Sequence, residues 1–167
     1  MKWFDQKFRE KPLRYLGQSL LMVGSFMLIL TFLDLLSDAV IVASLGASGF
    51  IAFSEPQRPR SAPRFLVGGY LTGIVAAFAC HLVSLLFEGS SLLFLSQNSM
   101  EISGAMAVGF SMFLMVVLNT EHPPASALAL GLVLDSFPWN TALIALAGIS
   151  LLSLVKQLLK PYLIDLL

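Results

Sequence analysis

The segment LNTEHPPASA, residues 118–127, places a histidine, a glutamate and two adjacent prolines between the apolar runs MAVGFSMFLMVVL and LALGLVL. An imidazole can donate a hydrogen bond to an anion, and it can carry a proton near neutral pH. Ionisable residues within membrane-spanning sequence are costly, and each is a functional hypothesis by default. His122 is therefore our first candidate for binding chemistry. The structural alternative is a histidine that caps the start of a helix.

Pro123 and Pro124 predict that a helix begins here. Proline costs no hydrogen bond in the first turn, because those amides have no partner within the helix. The residue before a proline is disfavoured in the helical region, so the preceding Glu-His pair should be extended. Behind the prolines, the amides of Ala125 and Ser126 would be unpaired and carry the positive end of the helix dipole. We expect these amides and the Ser126 hydroxyl to hold an anion.

A second stretch of small residues, SLGASG at positions 44–49, interrupts another apolar segment. The Gly-Ala-Ser of this stretch, at 46–48, is similar to the Pro-Ala-Ser at 124–126. Two interrupted helices at matching positions are typical of a transporter site, so we expect both stretches to line one site. The predicted substrate-binding residues are Gly46, Ala47, Ser48, Gly49, His122, Pro123, Pro124, Ala125 and Ser126.

The composition restricts the class of protein. Of the 167 residues, 57% are hydrophobic and only 12% are charged, whereas soluble domains carry about 25% charged residues. The sequence therefore predicts an all-α integral membrane protein in contact with the lipid bilayer. A net charge of zero gives no support for a nucleic-acid partner. The single cysteine, Cys80, excludes an internal disulfide.

Enzymatic motifs are absent from the sequence. It contains no Gly-x-Ser-x-Gly, no HExxH and no P-loop. We therefore expect no enzyme activity, no cofactor and no metal, and any transport would be passive or ion-coupled.

The elements that must position the polar residues are predicted helices. Four segments are long and apolar, and two are shorter or interrupted. The last short segment would extend only about 20 Å at 1.5 Å per residue, less than the hydrocarbon layer requires. The predicted long segments are 17–34, 66–87, 102–119 and 139–157, and the short ones are 38–54 and 123–135.

The charges decide whether the short segments cross. If all six segments cross, every basic residue falls on one side, which the positive-inside rule assigns to the cytoplasm, with both termini there. We expect a cell inner membrane protein with a basic arm (1–16), one transmembrane domain (17–160) and a tail (161–167). The basic clusters are Lys2, Lys7, Arg9, Lys11 and Arg14; Arg58, Arg60 and Arg64; and Lys156 and Lys160. The connections on the other side carry Asp34 and Asp38, Glu88 and Glu101, and Asp135, and a short interfacial helix is expected in FEGSSLLFLSQNSME.

Six crossings divide into three and three, which would place the second half upside down relative to the first. The short segments, 38–54 and 123–135, are the middle elements of the two halves. This arrangement predicts a 3+3 inverted repeat with the site between its two middle helices.

Several further polar residues have both a functional and a structural interpretation. Arg64 could face a cytoplasmic vestibule and attract anions, or it could serve as a topology determinant. Glu121 and Asn119 could line the same vestibule, or be a solvated acid and a group that satisfies backbone near the break. His81 is either a membrane-embedded functional group or a neutral packed histidine. Close helix packing is the expected role of Gly68, Gly69 and Gly73.

Three stretches carry a resemblance to a known family. LNTEHPPASALAL, SLGASGFIAFSEP and SAPRFLVGGYLTG resemble, in order, segments of the HPP family of integral membrane proteins. The family is named for the His-Pro-Pro that stands here at 122–124. At Tyr70 the chain departs from the family, which usually has histidine there. Tyrosine does not titrate near neutral pH, so a proton-relay role for this position is in doubt.

The resemblance implies a multi-pass membrane protein, and similar members in chloroplasts and cyanobacteria are implicated in nitrite transport. The leading hypothesis is therefore a transporter or channel for a small inorganic anion, with nitrite as the family-based candidate. The first alternative is a non-transporting membrane subunit or sensor in which the His-Pro-Pro segment is structural. An intramembrane enzyme is a third. Glycine-rich faces leave room for a homo-oligomer.

Overall fold

The structure, a computed structural model, describes residues 11–33 and 39–166, without the side chains of residues 32 and 33. The predicted connection that carries Asp34 and Asp38, and the first ten residues of the basic arm, lie outside these ranges. Within them the chain is helical, with 3₁₀ turns at Pro59–Ser61 and Lys160–Tyr162. The helices are α1 (Pro12–Leu33), α2 (Ala39–Ser54), α3 (Pro63–Glu88), α4 (Leu93–Gln97), α5 (Ser99–Leu118), α6 (Pro123–Leu134) and α7 (Trp139–Leu159).

Four of these helices are long and apolar enough to cross a membrane: α1, α3, α5 and α7. The short helices α2 and α6, of 16 and 12 residues, extend about 24 and 18 Å at 1.5 Å per residue. The division into four long and two short segments is thus confirmed. Helix α4 is a short helix in the connection where one was expected. Helix α1 begins at Pro12, so the stretch assigned to the end of the basic arm is already helical.

Proline defines the start of three helices. Pro12, Pro63 and Pro123 are each the first residue of their helix, where a missing amide costs nothing. The start of a helix at Pro123 is confirmed.

The predicted break in the first short segment is wrong, because α2 is helical from Ala39 to Ser54, through SLGASG. In a bilayer a helix satisfies its own backbone groups, and small residues alone do not interrupt it. The Ser48 hydroxyl donates to the Ser44 carbonyl one turn earlier, at 2.9 Å. Gly49 instead allows α1 to approach, because a Cβ there would collide with the ring of Phe26.

One end of the bundle collects the basic residues. The Tyr15 hydroxyl donates to the Leu166 carbonyl at 2.8 Å, and Lys156 Nζ donates to the Ser61 carbonyl at 2.9 Å. These bonds bring together the start of α1, the α2–α3 connection and the end of α7. We call this the basic end; the described basic residues that belong to it are Lys11, Arg14, Arg58, Arg60, Arg64, Lys156 and Lys160.

The helix contacts form a paired pattern. Helix α1 packs on α2 and α7, as α5 packs on α6 and α3. Helix α2 contacts α7, and in the same way α6 contacts α3. Helix α2 also contacts α6, and α3 contacts α7. Exchanging α1, α2 and α3 with α5, α6 and α7 therefore preserves these contacts.

Candidate functional site

A direct hydrogen bond joins the two segments that the sequence singled out. Ser48 Oγ of α2 lies 2.8 Å from His122 Nε2, the residue that precedes α6. His122 is extended, with φ −148° and ψ 90°, as its position before Pro123 predicts. Its side chain makes no capping hydrogen bond to α6, and the residue is only 1% exposed. The imidazole therefore hydrogen-bonds to α2 rather than to the helix that it precedes.

Helix α3 contributes a third member of this site. The Tyr70 hydroxyl lies 3.0 Å from Ser48 Oγ and donates to Ser44 Oγ at 3.1 Å. The Tyr70 and His122 rings lie 5.8 Å apart, centroid to centroid. We call Ser44, Ser48, Tyr70 and His122 the central cluster; all four are buried. A buried polar cluster of this kind is stable only when its members satisfy one another.

The hydrogen bonds of Ser48 favour one tautomer of His122. A serine hydroxyl has one hydrogen to donate, and the Ser48 hydroxyl lies 2.9 Å from the Ser44 carbonyl oxygen, which can only accept. When Ser48 donates to that carbonyl, Nε2 of His122 carries its hydrogen and donates to Ser48. Its Nδ1 atom is then an acceptor, and it is buried with no hydrogen-bond partner among the described residues.

Burial disfavours the charged form of this imidazole. His122 lies in the connection between α5 and α6, outside the candidate spans. Burial lowers its pKa to about 4, because an imidazolium would lose its hydration there.

Glycines of α3 allow the His-Pro-Pro segment to lie directly on that helix. A Cβ at Gly69 would collide with the Cβ of His122, and one at Gly73 would lie 2.6 Å from the Ala125 carbonyl oxygen. A Cβ at Gly68 would lie 3.0 Å from Thr120 Cγ2. The expected close-packing role of these glycines is confirmed, and their partner is the segment that contains the candidate site.

The start of α6 offers fewer free amides than the predicted anion cradle requires. Pro123 and Pro124 have no N–H, and the Ala125 amide, one of the two expected donors, donates to the His122 carbonyl at 2.9 Å. The Ser126 hydroxyl lies 3.0 Å from Ser111 Oγ of α5. The two prolines thus remove the donors that make ordinary helix starts attractive to anions.

A cavity of about 280 Å³ opens beside the central cluster at the basic end. It lies between the end of α2, the α2–α3 connection and the residues before α6. Ser54 Oγ, in its wall, is buried and has no hydrogen-bond partner among the described residues. We call it the basic-end cavity; its polar lining is Ser54, Glu55, Arg60, Glu121 and His122, and its apolar lining is Phe50, Ile51 and Pro123.

The arginine in this cavity is Arg60, for which the sequence predicted only membership of a basic cluster. Arg64, the predicted vestibule residue, instead donates from Nη2 to the Leu118 carbonyl at 3.2 Å, across the end of α5. Asn119 ends α5 in the left-handed conformation, with φ 52°, which asparagine tolerates as a helix cap. Glu121 does line the cavity.

Other predicted residues are not members of the central cluster. Ala47 and Pro124 line an apolar groove between α2 and α6 that also includes Ser44 of the cluster, and a Cβ at Gly46 would meet open space. The His81 ring stacks on Phe137 with centroids 5.9 Å apart, in the half of α3 away from Tyr70. His81 and His122 therefore do not form one site.

One member of the cluster was missed at the sequence level. Ser44 stands four residues before Ser48, and residues at that spacing share a face of a helix. This spacing could have identified it once the segment was recognised as an unbroken helix.

The fold and the cluster define a multi-pass helical membrane protein with a buried polar site in its centre. The family model described as the HPP transmembrane region matches residues 9–163. The chain therefore belongs to the HPP family of transmembrane proteins.

The comparisons do not assign an activity. A curated transmembrane protein of Dictyostelium discoideum is 32% identical over 91 residues. The match covers 54% of this chain but only 29% of that relative. No solved structure matches the chain.

Proposed function

We propose that this protein is a membrane transporter or channel for a small inorganic anion, with nitrite as the candidate substrate. The observation that carries the proposal is the buried Ser48–His122 pair beside a cavity that contains Arg60. The choice of nitrite as the candidate substrate rests on the resemblance to HPP proteins implicated in nitrite transport.

The dimensions of the cavity favour a small ligand. Its volume of about 280 Å³ corresponds to roughly nine waters at about 30 Å³ each. That is room for a small ion with part of its hydration shell. Arg60 supplies a permanent positive charge, and the hydroxyl of Ser54 can donate to an anion. The carboxylates of Glu55 and Glu121 oppose this charge, although Glu55 pairs with Arg58 at 3.5 Å.

In this proposal all six long and short helices cross the membrane, with the basic end in the cytoplasm of a cell whose inner membrane holds the protein. The positive-inside rule supports this orientation, since the described basic residues collect at one end. Both termini would be cytoplasmic. No enzyme activity and no cofactor are part of the proposal.

We also propose the 3+3 inverted repeat, with α2 and α6 as the middle helices. Each half has the order long, short, long, and the paired helix contacts support the relationship. Such repeats allow a central site to face either side of the membrane in turn. The counterpart of the α6 start is then the start of α2, near Ala39, rather than SLGASG.

A second candidate is a non-transporting membrane subunit or sensor. The tight contacts of Gly69 and Gly73 with the His-Pro-Pro segment and the bonded Ala125 amide favour it. Both features are what a purely structural helix start would show. That alternative assigns no role to the cavity beside His122.

Uptake of nitrite into proteoliposomes separates the two. Assays at pH 7, where nitrite is almost entirely ionised, limit leakage of the neutral acid through the lipid. We expect uptake above that of empty vesicles, and a loss of at least tenfold in His122→Ala. Gly46→Ala is the matched control, since its new methyl group meets open space. Absence of uptake of nitrite, nitrate, formate and chloride alike would favour the subunit or sensor.

A further inference from the structure

We infer that His122 couples anion binding to the uptake of one proton, which binds at its Nδ1 atom. This inference rests on the proposed function and specifies its coupling ion. It makes the protein a proton–anion symporter rather than a passive anion channel.

The hydrogen-bond arrangement leaves one atom of the cluster open to a proton. Nε2 of His122 is engaged with Ser48 Oγ at 2.8 Å, and the Ser48 hydrogen is engaged with the Ser44 carbonyl. Nδ1 is buried without a partner in the described part of the chain. The Nδ1 lone pair can accept a proton without breaking any bond of the central cluster. The product is an imidazolium that donates from both nitrogens, and no covalent bond is broken.

Burial makes this proton dependent on the anion. An isolated charge in a site that is 1% exposed loses most of its hydration, and the loss is offset only by an opposite charge. The direct partners of the imidazole in the cluster are neutral hydroxyls. An anion beside Nδ1 would supply the missing charge and accept the new hydrogen bond. Proton and anion should therefore bind together, and neither should bind well alone.

The charged and titratable groups around His122 support separate roles for the groups that bind the anion and the group that passes protons. Helix α2 contributes neutral Ser44 and Ser48 and, at its end, Glu55; helix α3 contributes the hydroxyl of Tyr70. The α2–α3 connection contributes Arg60, and His122 follows Glu121 directly. Helix α6 has no titratable residue. The guanidinium is suited to receive the anion, and the exposed carboxylate of Glu121 is suited to pass protons from water.

Calorimetry of nitrite binding to the detergent-purified protein tests the inference. Titrations at pH 7 in buffers of different ionisation enthalpy give the number of protons taken up per anion bound. We expect about one proton, and an affinity that rises about tenfold for each unit decrease in pH between 8 and 6, because the empty site is neutral and the occupied site is protonated.

Two variants complete the test. His122→Gln keeps a donor for Ser48 but has no titratable nitrogen, so we expect weaker binding with no proton uptake and no pH dependence. Gly46→Ala adds a methyl group that meets open space and keeps the imidazole, so proton uptake should stay near one. Nitrite binding by the unsubstituted protein with no proton uptake would overturn the inference and leave anion transport standing. The absence of both nitrite binding and nitrite flux would overturn the proposed function, and the inference with it.

Discussion

Ser48 Oγ and His122 Nε2 lie 2.8 Å apart although 74 residues separate them in the sequence. The contact joins helix α2 to the residue that precedes helix α6. It depends on α3, whose glycine face carries the His-Pro-Pro segment and whose Tyr70 bonds to Ser44 and Ser48. The site is therefore a product of three helices.

Ser48→Ala should destabilise the protein by about 1–3 kcal/mol. The substitution leaves Nε2 of His122 buried without a partner, which is the expensive case for a polar group. Ser150→Ala is the matched control, because Ser150 also donates to a carbonyl four residues earlier but is exposed. Urea unfolding in detergent micelles measures the difference. Equal stability of the two variants would mean that the bond to His122 contributes nothing.

Gly69→Ala should destabilise the bundle by about 1–3 kcal/mol, the usual cost of overpacking, because the new methyl group collides with His122. Gly109→Ala is the control, since its methyl group would meet open space on α5. Thermal unfolding of both variants gives the comparison. An unchanged Gly69→Ala would show that the His-Pro-Pro segment is not held against α3.

Arg60→Gln should reduce nitrite uptake at least fivefold, whereas Arg64→Gln should leave it close to normal. Arg60 lines the basic-end cavity, whereas Arg64 bonds to the end of α5. The two substitutions remove the same charge a few residues apart, so each controls for the other's effect on topology. A larger loss in Arg64→Gln would restore the vestibule role that the sequence predicted for that residue.

Gln18→Ala should loosen the basic end. The Gln18 side chain bonds to the carbonyls of Phe53 and Ile164 and accepts from the Ile164 amide, so α1, the end of α2 and the C-terminal segment meet on one residue. We expect faster proteolysis of residues 160–166 than in Ser19→Ala, where the lost hydroxyl bonds only within its own helix. Equal cleavage rates would show that the other contacts of the segment are sufficient.

The features predicted correctly are those set by local chemistry. The start at Pro123 follows from the missing amides of proline, and the four long helices follow from the length of the apolar runs. The break at SLGASG was wrong because glycine and serine remain compatible with a helix when lipid leaves the backbone no other partner.

The remaining features depend on three-dimensional position. The 3₁₀ turn at Pro59–Ser61 and the start of α3 decide whether Arg60 or Arg64 reaches the cavity. The composition of the sequence shows neither the turn nor the helix start. The unpaired amides were predicted from an ordinary helix start, whereas the two prolines have no N–H and the Ala125 amide donates to the His122 carbonyl. The proposed role of His122 therefore depends on its side chain.

The most direct test of the central claim is nitrite uptake by proteoliposomes containing the unsubstituted protein and the His122→Ala and Gly46→Ala variants. Anion transport through the Ser48–His122 site predicts uptake by the unsubstituted protein and by Gly46→Ala, with at least a tenfold loss in His122→Ala. Equal uptake by all three proteins, or uptake no greater than that of empty vesicles, would contradict it.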